Sequence, residues 1–176
     1  MSKRLITITF SFFFLFYFDS AISMDLKVVY LDVDKIINQS NVGKDLTKQL
    51  KVLNKNNIKR FKESEKKLAD NKASIVKQKN ILSKEELSTK VNTLKKDIND
   101  HKKNIDIART NIDKKRLEAT NKILKALNKI LSEYSSKNSI SIILQKKNIV
   151  IGITELDITN QILELVNIEV KTIKLN

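Results

Sequence analysis

Few side chains in this sequence could do chemistry, and their spacing limits what that chemistry could be. Asp32 and Asp34 stand one residue apart in YLDVDKIINQSNVGKDL, Tyr30 to Leu46. Two carboxylates so placed could open a hard-cation site, but such cations take several more oxygen ligands, and none is marked nearby. The simpler reading is the end of a strand followed by the start of a helix, where acids favour the positive end of the helix dipole. His101 is the sole histidine. It cannot build a two-histidine metal site, and it could act as a pH switch only if assembly were coupled to it. Otherwise it fills a helical seam. Asn38-Gln39-Ser40 has the form of a glycosylation acceptor, which we disregard in a chain of bacterial appearance. The chain has no Cys and only two Gly. That removes a thiol nucleophile, a thiolate metal site and a glycine-rich phosphate cradle. Carboxylate or Ser/Lys catalysis stays formally open, but no acid, base and nucleophile stand out together. We therefore expect no enzyme, no metal and no cofactor.

The abundant functional group is the lysine ammonium. Lys and Arg number 34 against 20 Asp and Glu, a formal charge of +14. Such a chain attracts acidic partners: nucleic acid, anionic lipid head groups or acidic proteins. Charge alone does not choose among them. Lys66, Lys67, Lys72, Lys77 and Lys79 lie before residues 80–84, and Lys84, Lys90, Lys95 and Lys96 follow. Singly, each reads as part of a solvated helix face. Collectively, they are candidates for binding an acidic client or anionic lipid.

The first 23 residues are set apart from these groups. Lys3 and Arg4 precede an apolar run from Leu5 to Phe18, and Ala21-Ile22-Ser23 places small residues before Met24. This is the pattern of a cleaved secretory signal. The apolar run is short for a membrane span, which takes about 20 residues. Cleavage after Ser23 would remove Lys3, Arg4 and Asp19 and leave +13. It would also remove six of the seven Phe, leaving only Phe61. An aromatic platform for single-stranded nucleic acid is then not expected, and export separates the chain from DNA and RNA. We expect no nucleic-acid partner.

The elements that must position the lysines follow from periodicity. LKVVYLD, Leu26 to Asp32, reads as a strand. From Gly43 to about residue 137 there is no further Gly and no Pro, too long a stretch for one helix in a compact domain. Val91, Ile98, Ile105 and Ile112 recur every seven residues, with Leu87, Leu94, His101 and Ala108 as companions. That is an a/d seam. Phe61, Leu68, Ile75 and Leu82 also repeat at seven, but their companions Ser64, Asn71 and Gln78 are polar. Ser83 with Glu86 fits a capping box, which places a turn near 80–84 and predicts antiparallel helices over about 44–80 and 84–137. At 1.5 Å per residue the first projects roughly 55 Å. Ser141 to Gln145 and Ile149 to Ile153 flank Lys146-Lys147-Asn148 as a β-hairpin signal. A helix then starts near Asp157 or Thr159, with Ile158, Ile162, Leu165 and Val166 on one face. IEVKTIKLN reads as extended or frayed. The expected fold is α+β, mostly α: an association body from residues 24–45 and 118–176, with a helical hairpin arm over 46–117. Such a body is marginal alone, and association would cover its strand edges.

In this order of elements the chain resembles the Skp/OmpH family of periplasmic chaperones. The resemblance rests on VVYLDVDKIINQSNVGKDL, with Asp32, Lys35, Ile36, Ser40, Gly43 and Lys44 at the family's positions, on ILSKEEL at the turn, and on ISIILQKKNIVIGITELDITNQILELVN. Asn41 and Val42 depart from the Pro and Ala often found there. The resemblance implies a homotrimer whose arms enclose a cavity. It implies ATP-independent holding of unfolded outer-membrane β-barrel proteins and no catalytic residue; anionic lipid or lipopolysaccharide is expected as a further partner from the lysine charge. The competing reading is a structural coiled-coil spacer of the envelope, although no lipobox Cys would anchor it.

Overall fold

A computed structural model describes residues 26–175. The expected signal over 1–23 lies outside the described residues. Strand β1 (Val28–Leu31) leads into a short helix α1 (Val33–Gln39), then α2 (Asn41–Gln78) and α3 (Lys84–Lys137). Strand β2 (Ile142–Gln145), two single 3₁₀ turns at Lys146–Asn148 and Thr154–Leu156, and α4 (Thr159–Glu169) complete the chain.

The apolar spacing explains the body. Ala119, Ile123, Leu127 and Ile130 form one face of α3, and Ile158, Ile162 and Val166 one face of α4. Both bury against Val29 and Leu31 of β1, Ile36 of α1, and Val42, Leu46 and Leu50 of α2. Ile36, Ile123, Ile162 and Val166 have no exposed surface, so truncating one to Ala would cost about 2–5 kcal/mol. Beyond this cluster the hairpin is thin. From residue 51 to 107 no residue is fully buried, and the heptad positions are only partly covered. The fold is α+β and mostly α, with the protruding helical hairpin expected from the heptads.

The turn falls where the capping box placed it. Ser83 Oγ accepts from the Glu86 amide at 3.2 Å, and Glu86 Oε2 accepts from the Ser83 amide at 3.0 Å. The far end of α3 stops without glycine: Ser139 adopts φ 54. The Ile140 amide then donates to the Ser135 carbonyl at 3.0 Å, capping the helix in the Schellman manner.

The β-hairpin expected over 141–153 is corrected. β2 does not fold back on Ile149–Ile153; it pairs in parallel with β1, Val28 opposite Ile142 through Leu31 opposite Gln145. The chain then makes a 3₁₀ turn, and 149–153 forms no strand. Apolar β-branched runs mark strand candidates, but their partner is set by the tertiary fold. The pairing chosen here spans more than a hundred residues of sequence. The C-terminal segment is tied down: Gln49 Nε2 donates to the Ile173 carbonyl at 3.0 Å, and the Leu175 amide donates to Gln49 Oε1 at 3.2 Å.

Candidate functional site

The paired aspartates sit at a structural corner. Asp32 caps α1, its Oδ1 accepting from the Lys35 amide at 2.8 Å, while its own amide donates to Thr159 Oγ1 at 2.9 Å. Asp34 lies in the first turn of α1. Among the described residues no three His, Cys, Asp or Glu converge to hold a metal. Ser40, fully buried, caps α2 by accepting from the Gly43 amide at 3.2 Å. This corner sets the direction in which the hairpin leaves the body.

On the other side of β1 a latch fixes the loop between β2 and α4. Lys146 Nζ donates to Asp157 Oδ2 at 2.7 Å, and Tyr30 Oη donates to the Ile153 carbonyl at 3.0 Å. A Cβ on Gly152 would approach the Tyr30 ring to 2.8 Å, so glycine lets the loop lie on the ring. Burial would push the Asp157 carboxyl up, but hydrogen bonds from Lys146 and from the Thr159 hydroxyl and amide outweigh it and hold the carboxyl below its usual range. The same bond, with the attraction of the carboxylate, raises Lys146. The latch presents apolar side chains outward. Val150 and Ile151 are essentially fully exposed, and Ile153, Ile142 and Leu144 are also exposed. Among the described residues one edge of the two-stranded sheet has no partner.

Along the hairpin all nine candidate lysines, Lys66, Lys67, Lys72, Lys77, Lys79, Lys84, Lys90, Lys95 and Lys96, are exposed. None is in an ion pair among the described residues, where the intrahelical pairs are Lys114–Glu118 and Lys129–Glu133. They lie along both helices towards the turn, where Ile81 is 84 % exposed and Val76 is also bare. His101 is the seam filler, its side chain only 9 % exposed. Its Nδ1 lies 3.0 Å from Ser64 Oγ, and its ring meets Phe61 edge-on at 5.8 Å. Nε2 stands 3.7 Å from Glu65 Oε1 with no hydrogen-bond partner.

Sequence periodicity did not point to the clefts along the root of the hairpin. One of about 740 Å³ lies between α2 and α3 near Leu46, Leu50, Lys51, Arg109 and Arg116. A second of about 360 Å³ continues it past Ile58, Phe61 and Ile105. The two share Asn54, Arg109 and Ile112. The available signal was the polar half of the seam: where asparagines replace apolar residues, two helices cannot close over a common core.

This architecture is matched by known proteins. Residues 27–166 match the model of the family described as outer membrane protein (OmpH-like). A protein of Caulobacter crescentus, whose crystal structure is described as that of an OmpH-like outer membrane chaperone, has the same fold at 15% sequence identity. The TM-score is 0.81, over 86% of this chain and 89% of that one. The search of curated proteins finds no match. With a helical hairpin on a small α+β body and a family match over most of its length, this chain belongs to the OmpH-like family of periplasmic chaperones.

Proposed function

We propose that the chain is an ATP-independent holdase. It associates through its body as a homotrimer and holds unfolded outer-membrane β-barrel proteins in a cavity between the hairpins, preventing their aggregation. The observation that carries this reading is the unfinished edge of the body. Ile142 and Leu144 of β2 and Val150, Ile151 and Ile153 of the following loop are all exposed, and one sheet edge is unpaired. Such an edge is an aggregation hazard unless other copies cover it. Covering it in a closed ring sets several hairpins around a common space. The thin packing over residues 51–107 then supports arms that bend to fit clients of different size.

The nine lysines supply the attraction. An acidic unfolded client is drawn in by charge and held by apolar contact. Anionic lipid or lipopolysaccharide is the second partner of the same side chains, near the turn, where Ile81 adds an apolar contact. The division into a body of 24–45 and 118–176 and an arm of 46–117 belongs to this reading, as does removal of residues 1–23.

Mass measurement tests it. The mature chain, alone and after dilution of a urea-unfolded β-barrel protein into it, should show three copies and then three copies plus client. A monomeric mass removes the cavity. A trimer that forms no soluble complex supports the spacer reading instead.

A further inference from the structure

The two clefts at the hairpin root form one groove, and its dimensions suit a particular occupant. From Gly43 to Glu65 the lining residues of α2 recur every three to four positions, on one face of the helix. That face is about 33 Å long at 1.5 Å per residue. A membrane-spanning β-strand has about 9–11 residues and, at roughly 3.3 Å each, the same length. The floor is apolar, with Leu50, Ile58, Phe61, Ile105, Ala108 and Ile112. The sides carry the Asn54 and Asn57 amides, which can serve the donors and acceptors of an extended backbone. The ends and rim carry Lys51, Lys62, Arg109 and Arg116 against Asp113 and Glu65. Glu65 already lies 3.7 Å from the ring of His101.

From this we infer that the groove between α2 and α3, Gly43 to Glu65 facing Ile105 to Thr120, holds one extended client strand of alternating apolar and polar residues with net negative charge. The inference rests on the proposed holdase activity and deepens it. Apolar side chains on one face of the strand would sit on the floor, its acids would meet the cationic rim, and the asparagines would satisfy part of its backbone. The groove exists because Asn54 and Asn57 occupy α2 opposite the small Ala108, so the helices leave space between them. A second copy of this chain could cover the same groove instead, and the experiment separates the two.

The chain has no cysteine, so one introduced cysteine is a unique attachment point. Ile58→Cys lies in the groove, and Val52→Cys lies on the opposite face of α2. Both side chains are about half exposed, at 48% and 58%, so neither change should disturb folding. Each variant carries a benzophenone photo-crosslinker, is mixed with a urea-unfolded β-barrel protein, and is assayed for both complex mass and crosslinks. The inference expects client crosslinks at least tenfold stronger from Ile58→Cys than from Val52→Cys. A ten-residue acidic peptide of alternating apolar and polar residues should compete, and the same peptide with proline at its centre should not. Three results overturn it: equal crosslinking from both faces in a complex of normal mass, crosslinks between chains at Ile58→Cys without client, or competition by both peptides. Absence of any soluble complex overturns the holdase reading and this inference together.

Discussion

A Cβ placed on Gly43 would lie 1.6 Å from the carbonyl oxygen of Ile37. Helix α2 therefore starts in backbone contact with the end of α1, and only glycine permits that approach. The backbone of Gly43 has no positive φ, so its role is space. Gly43→Ala must push the first turn of α2 away from α1 and tilt the hairpin root. The expected cost is about 3 kcal/mol, read as a lower urea midpoint of the helical signal at fixed protein concentration. A midpoint equal to that of the wild type would contradict this contact.

At the opposite end of α2 the turn depends on Ser83 and Glu86. Ser83→Ala removes the bond that its Oγ accepts from the Glu86 amide and the one it donates to Glu86 Oε2, leaves the bond from the residue 83 amide, and should weaken the start of α3 by about 1 kcal/mol. Hydrogen exchange of the amides at 85–87 should quicken while those of the body stay unchanged. The bond from the Ser83 amide, then that from its hydroxyl, lowers the Glu86 carboxyl from its usual 4.5. A carboxyl lowered on folding stabilises above its unfolded value and loses that contribution as pH falls through the folded value. Protection at the turn should therefore be full at pH 6–7 and decline below about pH 4.5.

Ile151 tests the assembly surface, because in a lone chain it touches water. Ile151→Asp should change the stability of an isolated chain by no more than about 0.5 kcal/mol. If copies meet at this edge, the mass of the mature protein falls towards that of one chain while its helical signal persists. An unchanged trimeric mass would place the subunit contact elsewhere.

Client capture should respond to salt. Between about 0.1 and 1 M NaCl the screening length shrinks from about 10 to about 3 Å. Affinity for an acidic unfolded client should drop by roughly tenfold over that range. Replacing Lys66, Lys67, Lys95 and Lys96 by Gln should weaken low-salt binding and flatten the salt dependence. Salt-independent affinity would remove the electrostatic part of the mechanism.

Much of this was legible because helices announce themselves locally. The absence of Gly and Pro between Gly43 and about residue 137, the seven-residue repeat through Val91 to Ile112 and the Ser83–Glu86 box gave both helices and their turn. The largely buried His101 follows from its companion position in the seam. Asp32 as a corner cap was readable from a strand-like run ending at an acid. The strand pairing was not, because Ile149–Ile153 looks as β-prone as Ile142–Gln145, and only the packed body decides which run meets β1. The tether from Gln49 to Ile173 and Leu175, and the latch of Tyr30 on Ile153, join residues over a hundred positions apart with no local pattern to reveal them. The end of α3 near residue 137 was read, but the left-handed cap at Ser139 was not: serine occupies a backbone state that glycine usually marks. The groove went unread since it is made by what the seam lacks.

Suppression of aggregation measures the central claim most directly. A β-barrel protein unfolded in urea is diluted into buffer without nucleotide, with and without three mature chains per client, and light scattering is followed. A holdase abolishes the scattering while the client stays soluble in complex. Scattering that rises as fast with the chain present as without it would contradict the account.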